Sequence, residues 1–178
     1  ALDDAHQKKV VHRDFKPANI LVSGQASRRF ILSDFGLAFE EERTRYTETM
    51  TRGIGTPAYI SPEQIESYTR ADYRTDLYAL AVLGYLLFTG YLPFTGAGTF
   101  KYVQHTTQRP PIPSQVNPKL NNAIDRVLLT GLLKNPDKRF QSGTAFVKAL
   151  YRATSKDLTV HVQPDADNPV QPQLASGY

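Results

Sequence analysis

No cysteine occurs among the 178 residues. A disulfide framework is thereby excluded, and so is any zinc or thiol-catalytic site built on cysteine, in keeping with a reducing compartment. No secretory-signal pattern opens the residues given, and no internal repeat is visible. The longest apolar run, Leu77 to Phe88, falls short of the roughly 20 residues that a membrane-crossing helix needs. Hydrophobic on every face, it reads instead as a helix buried at the centre of a helical lobe. Nor is charge of one sign massed anywhere: the net charge is +4 and the pI about 9.3, with the basic residues scattered apart from short clusters such as Arg28-Arg29. This modest basic excess suits phosphates without specifying nucleic acid. The length fits one domain able to bury a core, and a cytoplasmic location is expected.

What is present begins with Ala1 to about Lys9, which reads as the last turns of a helix with no capping residue before it, the mark of a fragment. Ile20–Ser23 and Arg29–Ser33 are β-type runs joined by a turn-rich link, a hairpin that would hold Asn19 and Asp34 at neighbouring strand ends. Residues 37–60 lack periodicity and read as a long loop. Ser61-Pro62-Glu63-Gln64 combines an N-cap hydroxyl, proline at the first helical position and a glutamine placed to close a capping box. Asp76 opens the apolar helix, which ends near Thr89-Gly90, and Tyr91 to Phe94 turns out of it. Asn117-Pro118 predicts a helix through about Leu133, with Ile124, Val127, Leu128 and Leu132 at helical spacing, and Asn135-Pro136 interrupts it. A last helix, Ser142 to Ala153, is expected to bury Phe146, Val147 and Leu150. Residues 154–178 are expected to form a flexible polar tail. His12 reads as packed support, whereas His6, His105 and His161 have no constellation around them.

The residues able to carry chemistry are concentrated in two strings. His12-Arg13-Asp14-Phe15-Lys16-Pro17-Ala18-Asn19 is followed 15 residues later by Asp34-Phe35-Gly36. Two carboxylates, an amide and an ammonium at these spacings suit phosphoryl transfer from a magnesium nucleotide. Such a transfer needs cations on the phosphate and a carboxylate to orient the attacking hydroxyl and accept its proton. Any one of these charges, taken alone, would ordinarily be a solvated loop residue; their joint order, with the hairpin, the long loop and Ser61-Pro62-Glu63, reverses that reading.

In that order the sequence resembles the C-terminal, catalytic lobe of a protein kinase, for which these motifs are a well-worked instance. The likeness runs over residues 1–153, and its wording is most similar to the bacterial serine/threonine branch. It implies a mainly α lobe with a small β-hairpin at the cleft, part of an α+β fold in the complete kinase. It implies ATP and Mg2+ as cofactors, with Asp14 as catalytic base, Lys16 on the γ-phosphate, Asn19 and Asp34 as magnesium ligands, and Leu21 beneath the nucleotide base. Gly36 would let the backbone turn sharply after the metal ligand. Gly55-Thr56-Pro57-Ala58-Tyr59 resembles the stretch that receives the substrate chain. There Thr56 would bond the catalytic aspartate and lysine, which points with Lys16 to serine or threonine acceptors on proteins.

The resemblance further implies that the threonine-rich loop is an activation segment, with phosphate on Thr47, Thr49 or Thr51 answered by Arg13. Glu63 and Arg139 resemble the buried ion pair that fastens this segment. Asp76 resembles the helix-start carboxylate that accepts backbone hydrogen bonds from the catalytic loop. Ala81 stands where relatives commonly have glycine, and Gly84 where they have a larger residue. The family's glycine-rich loop, phosphate-clamping lysine and helix glutamate belong to an N-terminal lobe expected to be missing, so the chain alone is expected to be inactive. Some bacterial relatives carry a membrane anchor beyond such a tail. The alternative is a non-catalytic, kinase-like module that docks proteins.

Overall fold

Residues 1–24, 29–35, 58–67 and 71–155 are described by the structure, a computed structural model. The first element, α1 (Leu2–Gln7), ends at Lys8, and Lys9 follows with φ of 60°. The Lys9 amide donates to the His6 carbonyl at 2.9 Å and the Val10 amide to that of Ala5 at 2.9 Å. This paired closure usually has glycine at the left-handed position. Lysine there crowds its Cβ against the backbone, so Lys9→Gly is expected to raise stability by about 1 kcal/mol. Urea denaturation should show the midpoint moving up; a lower midpoint would contradict it.

The hairpin forms as its sequence indicates: β1 (Ile20–Ser23) and β2 (Arg29–Leu32) pair antiparallel with Ile20 opposite Leu32 and Ser23 opposite Arg29. Next comes α2 (Pro62–Glu66), whose capping box is complete, Ser61 accepting from the Gln64 amide and the Gln64 side chain accepting from the Ser61 amide. The long apolar helix α3 (Arg74–Thr89) starts two residues before Asp76, which sits in its first turn, and closes on Gly90 at φ 81°.

Around α3 lie α4 (Phe100–Thr107), α5 (Pro113–Val116), α6 (Asn122–Gly131) and α7 (Gly143–Ser155). The core is made by Tyr78, Ala81, Val82 and Tyr85 of α3 with Ile124, Leu128, Leu132 and Phe146. Close approach is built in: a Cβ on Gly131 would lie 2.5 Å from that of Ala81, and one on Gly84 would lie 3.1 Å from the Phe146 ring. Across the chain, Asp3 of α1 accepts the Gly143 amide at 2.7 Å and the Thr144 amide at 2.9 Å, tying α1 to the start of α7.

Three sequence expectations are corrected. The 77–88 run is not covered on every face, since Leu87 is 74% exposed; α6 and α7 cover one side of α3 while the other faces an apolar groove. Val147, expected in the core, is 54% exposed and lines the same groove, together with Leu2, Phe15, Leu32 and Leu83, around a cavity of about 970 Å³. Asn117-Pro118 does not start a helix: the Asn117 side chain donates to the Phe88 carbonyl at 2.8 Å, fastening the end of α3. The cap of α6 is Asn121, which accepts from the amides of Ala123 and Ile124 at 2.8 and 2.9 Å. Finally, α4 and α5 were not foreseen. The residues that α4 buries are Tyr102, Gln104 and His105, while Phe100 and Val103 are exposed, so hydrophobic periodicity carried no signal.

Candidate active site

Asp76 organises the loop that precedes β1. Its fully buried carboxylate accepts the amides of His12 at 2.9 Å and Arg13 at 2.8 Å. Arg13 adopts φ of 66°, a strained conformation for a side-chain-bearing residue and one that clusters at functional sites. A third contact comes from His6, whose Nε2 lies 2.7 Å from the same carboxylate. His6 therefore does have a constellation, which its partner 70 residues away hid from the sequence. From α2, the Gln64 side chain donates to the Arg13 carbonyl at 2.8 Å. Capping box and loop are thus one hydrogen-bonded unit.

The His12 ring joins the two motif strings. Its Nδ1 accepts from the Asp14 amide at 3.3 Å, so Nε2 carries the proton it donates to the Ser33 carbonyl at 2.8 Å. The Phe35 ring lies 4.9 Å from it. Lys16 Nζ donates to the Asp14 carboxylate at 2.6 Å. A 3-10 turn at Pro17–Asn19 swings the Asn19 amide back, where it donates to the Asp14 carbonyl at 2.8 Å and the carboxylate at 3.2 Å. The Asn19 carbonyl in turn accepts the Ser33 amide at 2.9 Å, extending the hairpin ladder by one step. Asp34 follows directly, at φ 58° and exposed, accepting from Ser33 Oγ at 3.1 Å. Asp14, Lys16 and Asn19 are brought into contact, with Asp34 at the adjacent strand end; Leu21 is exposed on β1.

The donor set discriminates among cations. Among the described residues, no group of three or more His, Cys, Asp or Glu could hold a metal. The Asn19 NH2 is committed to Asp14, which leaves its oxygen and the Asp34 carboxylate as hard donors. A site with so few protein oxygens fits magnesium, which keeps waters and is held by one or two carboxylates plus substrate phosphates.

Arg139 and Glu63 also meet. The arginine side chain is 0% exposed and donates through two nitrogens to both glutamate oxygens at 2.7 Å, and also to the carbonyls of Arg74, Leu133 and Lys134. Gly36, Thr47, Thr49, Thr51, Thr56 and His161 lie outside the described residues.

A second buried cluster lies between α3 and α4. His105 Nδ1 is 3.0 Å from the Tyr78 hydroxyl, and Lys134 Nζ, 4.4 Å from the centre of the Phe94 ring, donates to the His105 carbonyl at 2.6 Å. Burial, then the charges of Lys134 and Lys101, push the His105 ring down to about 3 from 6.5. Burial and then Arg139 lower Lys134 to about 8 from 10.5. The unfolded chain therefore binds the extra His105 proton between about pH 6.5 and 3, and stability is lost as pH falls through that window. Between pH 8 and 10.5 the Lys134 contribution makes stability rise with pH. Urea midpoints should fall from pH 7 to 4.5, less steeply in His105→Gln; equal slopes would contradict the assignment.

With this geometry, the chain can be set beside known proteins. The family model for the protein kinase domain matches residues 1–151. The chain belongs to the protein kinase family. Among its relatives, serine/threonine-protein kinase pkn3 of Myxococcus xanthus is 39% identical, the match covering 88% of this chain and 30% of that protein. The DNA damage-responsive serine/threonine-protein kinase RqkA of Deinococcus radiodurans is 38% identical over 92% of this chain and 24% of its own length. PknJ of Mycobacterium tuberculosis is 41% identical over 84% and 26%. These place the chain in the bacterial serine/threonine branch, and it spans about a quarter of the length of such relatives. A solved structure of the Rad53 kinase domain and SCD2 in complex with AMPPNP is similar at TM-score 0.57 and 25% identity, covering 84% of this chain and 52% of that one.

Proposed function

We propose that residues 1–153 are the C-terminal lobe of a serine/threonine protein kinase, and that the completed domain transfers the γ-phosphate of ATP to hydroxyls of protein substrates. The observation that carries this reading is the Asp14 carboxylate held by Lys16 and Asn19 beside the Asp34 strand end. A magnesium nucleotide, when bound, supplies the phosphoryl group and the cation that neutralises its charge. Asn19 and Asp34 would hold that cation, and Leu21 would lie beneath the base. Asp14 orients the acceptor hydroxyl and takes its proton. Lys16, already 2.6 Å from that carboxylate, would bind the transferring phosphate beside it. Thr56 completes the acceptor site, and Arg13 answers phosphate on Thr47, Thr49 or Thr51.

Among the described residues no helix is long and apolar enough to cross a membrane. A protein-docking module without catalysis has the apolar groove in its favour, but such modules typically lose the catalytic aspartate or the metal ligand, and Asp14 and Asp34 both stand. The groove and the exposed Val22, Phe30 and Ile31 of the hairpin are read as surfaces that the rest of a kinase domain covers. Incubation with labelled ATP and a generic protein substrate tests this. The 178-residue chain, with helical circular dichroism, should transfer nothing, and a chain completed with a nucleotide-binding N-terminal lobe should transfer label. Robust transfer by the short chain would show that its lobe suffices.

A further inference from the structure

We propose, on the kinase reading above, that Asp3 is a positioning residue for Asp14: by clasping α1 to the start of α7 it fixes the short helix that braces the loop on both sides of that carboxylate. Asp3 Oδ1 accepts the Gly143 amide at 2.7 Å and Oδ2 the Thr144 amide at 2.9 Å, with the Thr144 hydroxyl as a third donor. The approach is close, since a Cβ on Gly143 would lie 3.3 Å from Oδ1. Two braces then run from α1 to the loop. One turn beyond Asp3, His6 donates from Nε2 to Asp76 Oδ2 at 2.7 Å, because an ionised carboxylate can only accept; the same oxygen takes the His12 amide, and Oδ1 takes that of Arg13. On the other side, Leu2 and Phe15 are buried in one cluster with Ala79 of α3. Asp14 stands between Arg13 and Phe15, so both of its neighbours in sequence are held from α1.

A helix of six residues has little stability of its own, and its place is set by what it touches. Among the described residues, the side-chain hydrogen bonds that leave α1 go to Asp76 and to the start of α7. The first belongs to the support of the loop itself. The second is anchored in the helical core, which Phe146 enters one turn into α7. Arg13, at φ 66°, needs such support, because a strained backbone persists only where its surroundings over-determine it. Release of Asp3 therefore loosens His6 and Leu2 together, without altering a residue that would meet phosphate, cation or acceptor.

The test uses two readouts. In the completed kinase domain, assayed well below its melting temperature, Asp3→Ala should lower kcat about tenfold, inside the ~10² that a remote change can cost by misplacing a reacting group by about 1 Å, with the KM values for ATP and peptide little changed. Asp3→Glu, which keeps the carboxylate, should recover most of the rate. Thr144→Val, which removes one of the three donors, should lose about twofold, a fraction of the alanine effect. In a His6→Ala background Asp3→Ala should cost less than it does alone, because both act through α1. In the 178-residue chain, amide exchange at His12 and Arg13 should quicken in Asp3→Ala and return toward wild type in Asp3→Glu. A lower melting temperature with kcat unchanged, a change confined to either KM, full additivity with His6→Ala, or unaltered exchange at both amides would overturn the proposal. If Asp3→Ala does not fold, Thr144→Val decides by the same readouts. A wild-type completed domain that transfers no phosphate would instead count against the kinase reading, and exchange at His12 and Arg13 would still decide whether Asp3 holds the loop.

Discussion

Asp14→Asn, made in a polypeptide carrying the complete kinase domain, is expected to slow phosphate transfer by ~10²–10⁴, the usual range for general acid–base catalysis. The substitution keeps the size of the side chain and leaves an acceptor for Lys16, so binding and folding should change little; it removes the negative charge that, in the proposed mechanism, would take the hydroxyl proton. Asp34→Asn should be equally severe by another route. It replaces the exposed charged oxygen beside Asn19 with a neutral amide, and the cation it would hold is what neutralises the transferring phosphate. The two variants should separate kinetically, Asp34→Asn losing apparent magnesium affinity while Asp14→Asn keeps it. Near-normal turnover in either would remove that residue from the mechanism.

Stability should be most sensitive at the Glu63–Arg139 pair. The guanidinium is out of contact with solvent, and besides both glutamate oxygens it serves the carbonyls of Arg74, Leu133 and Lys134. It also lies over the Tyr78 ring at 4.8 Å. Such a pair is weak evidence of net stabilisation against an apolar replacement, but removal of one partner strands the other. Glu63→Ala leaves a buried cation without its counter-ion, and Arg139→Ala orphans three carbonyls and opens a void over Tyr78. Each is expected to lower stability by ~3–5 kcal/mol, a fall in melting temperature of roughly 6 °C or more for a chain of this size. Glu63→Gln, which keeps an acceptor, should lose less. Wild-type melting in both alanine variants would mean that the pair holds nothing together.

These two sites were legible for different reasons. The hairpin, the Ser61–Gln64 capping box and the Asn19–Ser33 ladder step follow from signals within a few residues of one another, and local hydrogen bonds realise them where they are written. The partners of Asp76 and Arg139 were legible only through the resemblance, because they lie 63 and 76 residues away. His6 escaped for the same reason without a motif to betray it. Asn117 and Asn121 stand four residues apart, and the proline after the first gives it the look of a helix start although its side-chain amide is spent on the end of α3 and Asn121 is the cap. Helix α4 hides its buried face behind tyrosine, glutamine and histidine. A titratable ring in an apolar setting is invisible to a pattern that counts only hydrophobic residues.

Most direct is phosphoamino-acid analysis of protein labelled by the completed kinase domain from γ-labelled ATP and magnesium, run beside the Asp14→Asn variant. Label in phosphoserine or phosphothreonine, lost in the variant, is the expected result. Label confined to phosphotyrosine, or label that survives Asp14→Asn undiminished, would contradict the account.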